Sequence, residues 1–301
     1  MMGKRAPSKH SLWRRELAQE LVKPYQKRRG FEMALLGGSP ARGLSDRYSD
    51  MDVVLYWDRL DADWIKSRPL EPLGLRFVTR LDMPQHQAML EIYTLEGLIV
   101  EIGHSTTASL KQEINEVTGE CKVEPPAINT IGGFLDAWAV HGAERYREIR
   151  KTIPAYPRRL AVKVIEHNLG FFWKGCLRNQ GLGRGEIMFV YDGMTAMLKR
   201  LINILAALNG LYYWAGEPRW IEHWHGRMKR SPKNLWPRIV RMYRGAPGKA
   251  LEDLEALLNE MLSLVKKHFP EADLSRVDRF KALEVRATSR KPKLKTHPSG
   301  R

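Results

Sequence analysis

Asp50 and Asp52 stand two residues apart, at the head of the run Asp52-Val53-Val54-Leu55-Tyr56-Trp57. That run is rich in β-branched and aromatic residues and predicts an interior strand. Side chains i and i+2 of a strand leave the same face, with Cα atoms roughly 7 Å apart. Two carboxylates held so close repel one another and are best accommodated around a cation. Donors that are all oxygen suit Mg²⁺ or Mn²⁺.

A complementary half-site precedes them. Phe31 to Leu36 is short and mostly apolar and is stopped by Gly37-Gly38, which predicts a first strand rather than a helix. The two glycines allow positive φ and let backbone amides approach an anion closely. Ser39 adds a hydroxyl, and Arg42 a bidentate donor for phosphate. A phosphate cradle beside a metal-binding carboxylate pair is the equipment for attack on a nucleoside triphosphate. A Gly-Gly-Ser turn alone is an ordinary turn, and Asp-x-Asp alone is common on surfaces. Their order and close spacing favour reading them together.

This order of residues, Gly37-Gly38-Ser39, Arg42 and Tyr48-Ser49-Asp50-Met51-Asp52, resembles the signature of the nucleotidyltransferase superfamily that includes DNA polymerase β. Within it the motif is similar to that of the antibiotic nucleotidyltransferases of the kanamycin nucleotidyltransferase type. A weaker likeness runs through a second acidic strand and an all-helical C-terminal half. The resemblance implies that a nucleoside monophosphate moves from ATP or another triphosphate to a hydroxyl of a small molecule, with release of pyrophosphate. An aminoglycoside-like antibiotic is one such acceptor. Mg²⁺ or Mn²⁺ is the implied cofactor, with Asp50, Asp52 and Glu101 as metal ligands. Gly37, Gly38, Ser39, Arg42 and Ser49 are the implied nucleotide-binding residues, joined by Lys174 and Lys199 on helices that the family packs against the nucleotide. For the general base it leaves two candidates. Glu101 holds the position of the third strand acid, and Glu166 is the nearest match to a glutamate from the helical half. A second register puts Gly170 at that glutamate's position, so the base stays open.

The elements that must position these residues follow from the pattern around them. Helical spacing at Leu17, Leu21 and Tyr25 predicts a helix from Leu12 to Arg29, interrupted near Pro24. Trp64 and Ile65 pack a short helix, beside a solvated Asp58, Asp61, Asp63 cluster. Leu75 to Thr79 predicts a further strand. Met89 to Tyr93 and Leu98 to Ile102 read as a hairpin about Leu95-Glu96-Gly97, and Glu101 interrupts its otherwise apolar second arm. His104 reads as a satisfied histidine at a strand end. Residues 107–129 are polar and mixed, with Pro125-Pro126 as a boundary. Helices are expected at Phe134–Lys151, Arg158–Arg178, Glu186–Tyr213, Leu235–Arg244 and Lys249–Phe269. Tyr212, Tyr213, Trp214 and Trp220 either line an acceptor pocket or pack a helix end.

The expected fold is α+β: a small mixed-sheet nucleotidyltransferase domain over residues 11–125, then a helical bundle over 126–284, with the active site opening between them. Residues 1–10 and 285–301 read as disordered basic tails.

The chain has 301 residues and a net charge of +16. The two tails contain no acid and supply nine of these charges, leaving +7 for the body, modest for a chain that binds a triphosphate. Solubility accounts for the tails more simply than RNA binding, so nucleic acid is not the favoured partner. No apolar run nears the roughly 20 residues that span a bilayer, and no apolar region follows the basic start. Cys121 and Cys176 make neither a disulfide framework nor a zinc pattern. A cytoplasmic enzyme is the expectation. The alternatives are a transferase acting on RNA or on a protein, as in toxin–antitoxin systems, and an inert nucleotide-binding protein.

Overall fold

The computed structural model describes residues 6–84, 87–170, 176–216 and 219–281. They divide into two compact units. The first runs to Leu160 and takes in Gly210–Trp214. The second comprises Ala161–Asn209 and the chain from Ala215 onward.

The first unit contains α1 (Lys9–Gln26), β1 (Phe31–Leu36), α2 (Gly38–Arg42), β2 (Met51–Trp57), α3 (Ala62–Lys66), β3 (Arg76–Met83), β4 (Ala88–Leu95) and β5 (Leu98–Thr106). It continues through α4 (Thr107–Thr118), α5 (Pro125–Asp136), β6 (Trp138–His141) and α6 (Ala143–Thr152). The six strands form one mixed sheet in the order β3-β4-β5-β2-β1-β6. β5 and β2 run parallel, and every other neighbouring pair is antiparallel. The fold is α+β.

Alternation along the central strands separates two faces. Met51, Val53, Leu55, Val100 and Ile102 point into a core capped by Ala18, Leu21, Val22 and Tyr25 of α1, with Ile65 of α3 beside them. Burying each such Leu or Ile side chain contributes about 1.5–3 kcal/mol. Asp52, Val54 and Tyr56 leave the opposite face, where the buried Tyr56 meets Phe134 of α5 edge-on at 6.1 Å. α1 begins at Lys9, capped by Ser8, so the helix starts inside the segment expected to be a tail.

Residues 134–151 do not form one helix. α5 ends at Asp136, β6 adds a strand beside β1, and α6 follows. Gly142 makes the turn with φ +69, and a Cβ there would stand 2.4 Å from the Glu32 carbonyl oxygen. The expected polar stretch 107–129 holds α4 and the start of α5, and the buried residues of these two helices are spaced helically: Leu110, Ile114, Val117, then Ala127, Ile128, Ile131.

The second unit is helical, with α7 (Arg158–His167), α8 (Ile187–Leu208), α9 (Ile221–His225), α10 (Leu235–Arg244), α11 (Pro247–His268) and α12 (Ser275–Lys281). The chain passes from the first unit to the second within α7. The last two turns of α8, Leu201 to Leu208, are buried on all sides. Asn203 joins them to the rest, donating to Asn168 Oδ1 at 3.0 Å and accepting from the Ala215 amide at 2.7 Å. Among the described residues no helix is long and apolar enough to cross a membrane.

Candidate active site

The parallel ladder between β2 and β5 sets Asp52 directly opposite Glu101. Neighbouring strands are about 4.8 Å apart, so two carboxylates leave one face of the sheet side by side. Both are half-buried, whereas Met51 and Val53 on either side of Asp52 are fully buried. The row continues outward on both flanks. Ile92 of β4 lies opposite Glu101, and the Gly37 amide donates to the Asp52 carbonyl at 2.8 Å.

Gly38 closes tightly over this row. Its φ is +59, and a Cβ added to it would stand 2.4 Å from Asp52 Oδ2. Only a residue without a side chain lets the backbone turn there while the carboxylate keeps its place. β1 stops at this turn and α2 begins. Gly43, with φ +76, ends α2 by donating to the Pro40 carbonyl.

Asp50 lies just before β2 and is half-buried. The loop that delivers it is stapled by Asp46, whose Oδ1 accepts from the Tyr48 amide at 2.9 Å and the Ser49 hydroxyl at 3.0 Å. Those bonds, led by the Tyr48 amide, hold the Asp46 carboxyl below its ordinary range. Ser49 Oγ accepts in turn from the Asp46 amide at 3.0 Å. The Ser49 hydroxyl therefore shapes the loop.

Arg14 of α1, 1% exposed, donates to the Ser49 carbonyl and to the His10 carbonyl at 3.0 Å. Burial lowers its pKa, and Asp46 and Asp50 oppose that shift. A buried guanidinium thus holds the loop backbone within electrostatic reach of Asp46 and Asp50. Arg14 was not among the residues expected from the sequence. Its signal was a charge in helical register with the apolar stripe Ala18, Leu21, Val22, Tyr25.

Ser39 is 5% exposed, and its hydroxyl meets Ser45 Oγ at 3.1 Å. The Ser45 amide donates to Ser11 Oγ, and Ser8 Oγ donates to the Ser45 carbonyl. This inward chain of hydroxyls ties α1 to α2, and Arg15 adds bonds to the Pro40 and Ala41 carbonyls. Arg42, half-buried at the end of α2, acts electrostatically on Tyr213, whose phenol burial pushes up to about 12 while Arg42 pulls it down. The neighbouring Trp214 is pinned by Asn129 of α5, which accepts from its amide at 2.8 Å.

Glu166 and Lys199 belong to the second unit. Glu166 Oε1 accepts from the Asp273 amide at 2.9 Å, ahead of α12. Lys199 is half-buried on α8. A Cβ on Gly170 would stand 2.8 Å from a guanidinium nitrogen of Arg276 and 3.0 Å from one of Arg200. Lys174 lies outside the described residues. His104, expected at a strand end, sits in the core against Trp57, with Nε2 3.5 Å from Glu91 Oε2.

Oxygen donors of the Asp52–Glu101 kind fit a hard divalent cation that keeps water and phosphate as its other ligands. Among the described residues no three His, Cys, Asp or Glu side chains stand together as a ready-made metal cluster. The protein offers a facing pair with Asp50 nearby, not a closed cage.

No family model matches the chain, and no curated protein matches it significantly. Among solved structures, a nucleotidyltransferase-like protein from Exiguobacterium sibiricum aligns over 85% of this chain and 78% of its own, at 12% identity and a TM-score of 0.38. A likeness that faint decides nothing about activity.

Proposed function

We propose that this chain is a transferase that moves a nucleotidyl group from ATP or another nucleoside triphosphate to a hydroxyl of a small molecule, releasing pyrophosphate. The observation that carries the proposal is the row Glu101–Asp52–Gly37, with Gly38 pressed against the Asp52 carboxylate. In it two facing acids stand beside a glycine-led backbone turn. Mg²⁺ or Mn²⁺ held by Asp52 and Glu101, with Asp50 as a further ligand, would supply positive charge to the triphosphate.

The chain's own groups have separable tasks in this reading. With the Gly37 amide held by the Asp52 carbonyl, the Gly38 and Ser39 amides at the start of α2 would meet the phosphates, and Arg42 would add a guanidinium at the far end of the same short helix. Arg14 and Asp46 fix the loop that carries Asp50. Glu101 and Glu166 are the candidates to accept the hydroxyl proton.

The test is transfer of label from α-³²P nucleoside triphosphates, with Mg²⁺ or Mn²⁺, to a panel of hydroxyl compounds that includes aminoglycosides. Label should reach at least one acceptor with the parent and none with Asp52→Asn. Absence of transfer across the panel for every nucleotide would refute the proposal.

A further inference from the structure

The net charge of the body is not spread over it. Residues 219–249 hold nine Lys and Arg against one acid, Glu222, interleaved with Trp220, Trp224 and Trp236. That excess is larger than the +7 left to the whole body once the tails are set aside. Where these cations sit in the second unit divides them into two groups.

Along the antiparallel pair α10 and α11 three of them are paired with acids. Arg238 meets Glu260 at 2.8 Å, Arg241 meets Asp253 at 3.1 Å, and Lys249 meets Glu252 at 3.1 Å. The same antiparallel register carries the segment before α10 to the C-terminal end of α11. There the charges of Arg230 and Lys267 both act on His268. Arg227, Lys229, Arg230, Lys233, Lys266 and Lys267 gather at this end and are all exposed. None of the four lysines has an acidic partner among the described residues. Glu271 and Asp273 follow on the next segment, and Asp273 is committed to Ser275.

The segment is held, not loose. Asn209 exchanges two hydrogen bonds with the Arg230 backbone, at 2.8 and 2.9 Å, and Arg230 Nη1 caps the Leu208 carbonyl at the end of α8. The Arg227 guanidinium lies over the Trp224 ring at 4.7 Å. Trp220, one short helix away, is 38% exposed. Six cations at one end exceed what a single phosphate requires. A group of exposed cations with a guanidinium–indole stack and an open aromatic fits a backbone of repeated phosphates carrying unpaired bases. An anionic membrane fits less well, because Trp224, Met228 and Leu235 are buried and leave no apolar face to insert.

We infer that the cationic end of the α10–α11 pair binds single-stranded polynucleotide through its phosphate backbone. This surface belongs to the second unit alone and does not depend on the transfer chemistry proposed for the first.

The test uses the full chain and fluorescence anisotropy with labelled single-stranded RNA and DNA oligonucleotides over a salt series. The variant is Lys229→Ser/Lys233→Ser/Lys267→Ser. The charge-matched control is Lys27→Ser/Lys66→Ser/Lys111→Ser, on the first unit, and both variants keep the basic tails. Each phosphate contact on a single strand contributes about −0.7 to the slope of log affinity against log salt. Losing three should flatten the slope by about 2 and weaken binding about 50-fold at 0.15 M salt. The control should bind as the parent does. Equal loss in both variants, or no loss in the first, would overturn the inference, as would a parent that binds neither oligonucleotide. A parent that binds vesicles of phosphatidylserine and phosphatidylcholine but no oligonucleotide would assign the surface to membranes instead.

Discussion

Replacing Gly38 with alanine separates what the turn contributes to folding from what it contributes to the site. The added Cβ meets two penalties. The left-handed φ of +59 costs an L-residue about 1–2 kcal/mol. At about 2–4 °C per kcal/mol for a chain of this class, the melting temperature should fall by about 2–8 °C. The Cβ would also stand 2.4 Å from Asp52 Oδ2, which must retreat by about 1 Å to reach ordinary contact. The carboxylate can yield because it ends a flexible side chain, so the clash costs position more than stability. A misplacement of about 1 Å in a reacting constellation costs about 100-fold in rate. Gly74→Ala is the control, since Gly74 has φ +87 and nothing within 4 Å of its would-be Cβ. Both variants should melt a few degrees below the parent, measured by circular dichroism. Only Gly38→Ala should lose label transfer, by about 100-fold. Full activity in Gly38→Ala, or equal loss in Gly74→Ala, would refute the role given to this contact.

Further outcomes follow from the same packing. Glu101→Gln removes one of two facing carboxylates, so its metal-free melting temperature should stay close to the parent's. The parent should gain about 2.7 kcal/mol when free Mg²⁺ is about 100-fold above its dissociation constant, and the variant should lose most of that gain. Arg14→Leu should cost about 2–4 kcal/mol, read by urea denaturation, because two carbonyls lose a charged donor in a buried place. Burial lowers the His104 pKa below its ordinary 6.5, with Glu91 as the opposing neighbour and Tyr25 packed against it. The unfolded chain therefore binds the proton first. This contribution to stability is complete above about pH 6.5 and is lost as the pH falls through the folded value. Melting curves from pH 7.5 to 5 should show that decline, and His104→Gln should flatten it.

The elements that carry the candidate site were legible where sequence pattern and local geometry coincide. Asp50, Asp52 and the Gly37-Gly38 turn needed only a strand, a turn and a second strand, and β1 and β2 supply them. α10 appears over the residues its apolar spacing indicated. What escaped depends on contacts distant in sequence. Trp138 to His141 has no signal of its own strong enough to break a helix, and becomes β6 because β1 offers an open edge. The bond from Ser39 to Ser45, with Ser11 and Ser8 behind it, joins residues too far apart in sequence for the glycine-led loop to reveal. The facing of Asp52 and Glu101 is a matter of parallel register, which a hairpin pattern and an isolated Glu do not specify. Arg14 looks like one more surface cation unless its place in the buried stripe of α1 is weighed.

The most direct test of the central claim is calorimetric titration of the parent and Asp52→Asn with non-hydrolysable nucleoside triphosphate analogues, with and without Mg²⁺. The facing acids and the glycine turn predict that the parent binds at least one analogue, that binding depends on Mg²⁺, and that Asp52→Asn loses that dependence. A folded parent that binds no analogue with Mg²⁺, or an Asp52→Asn variant that binds with the same Mg²⁺ dependence as the parent, would contradict it.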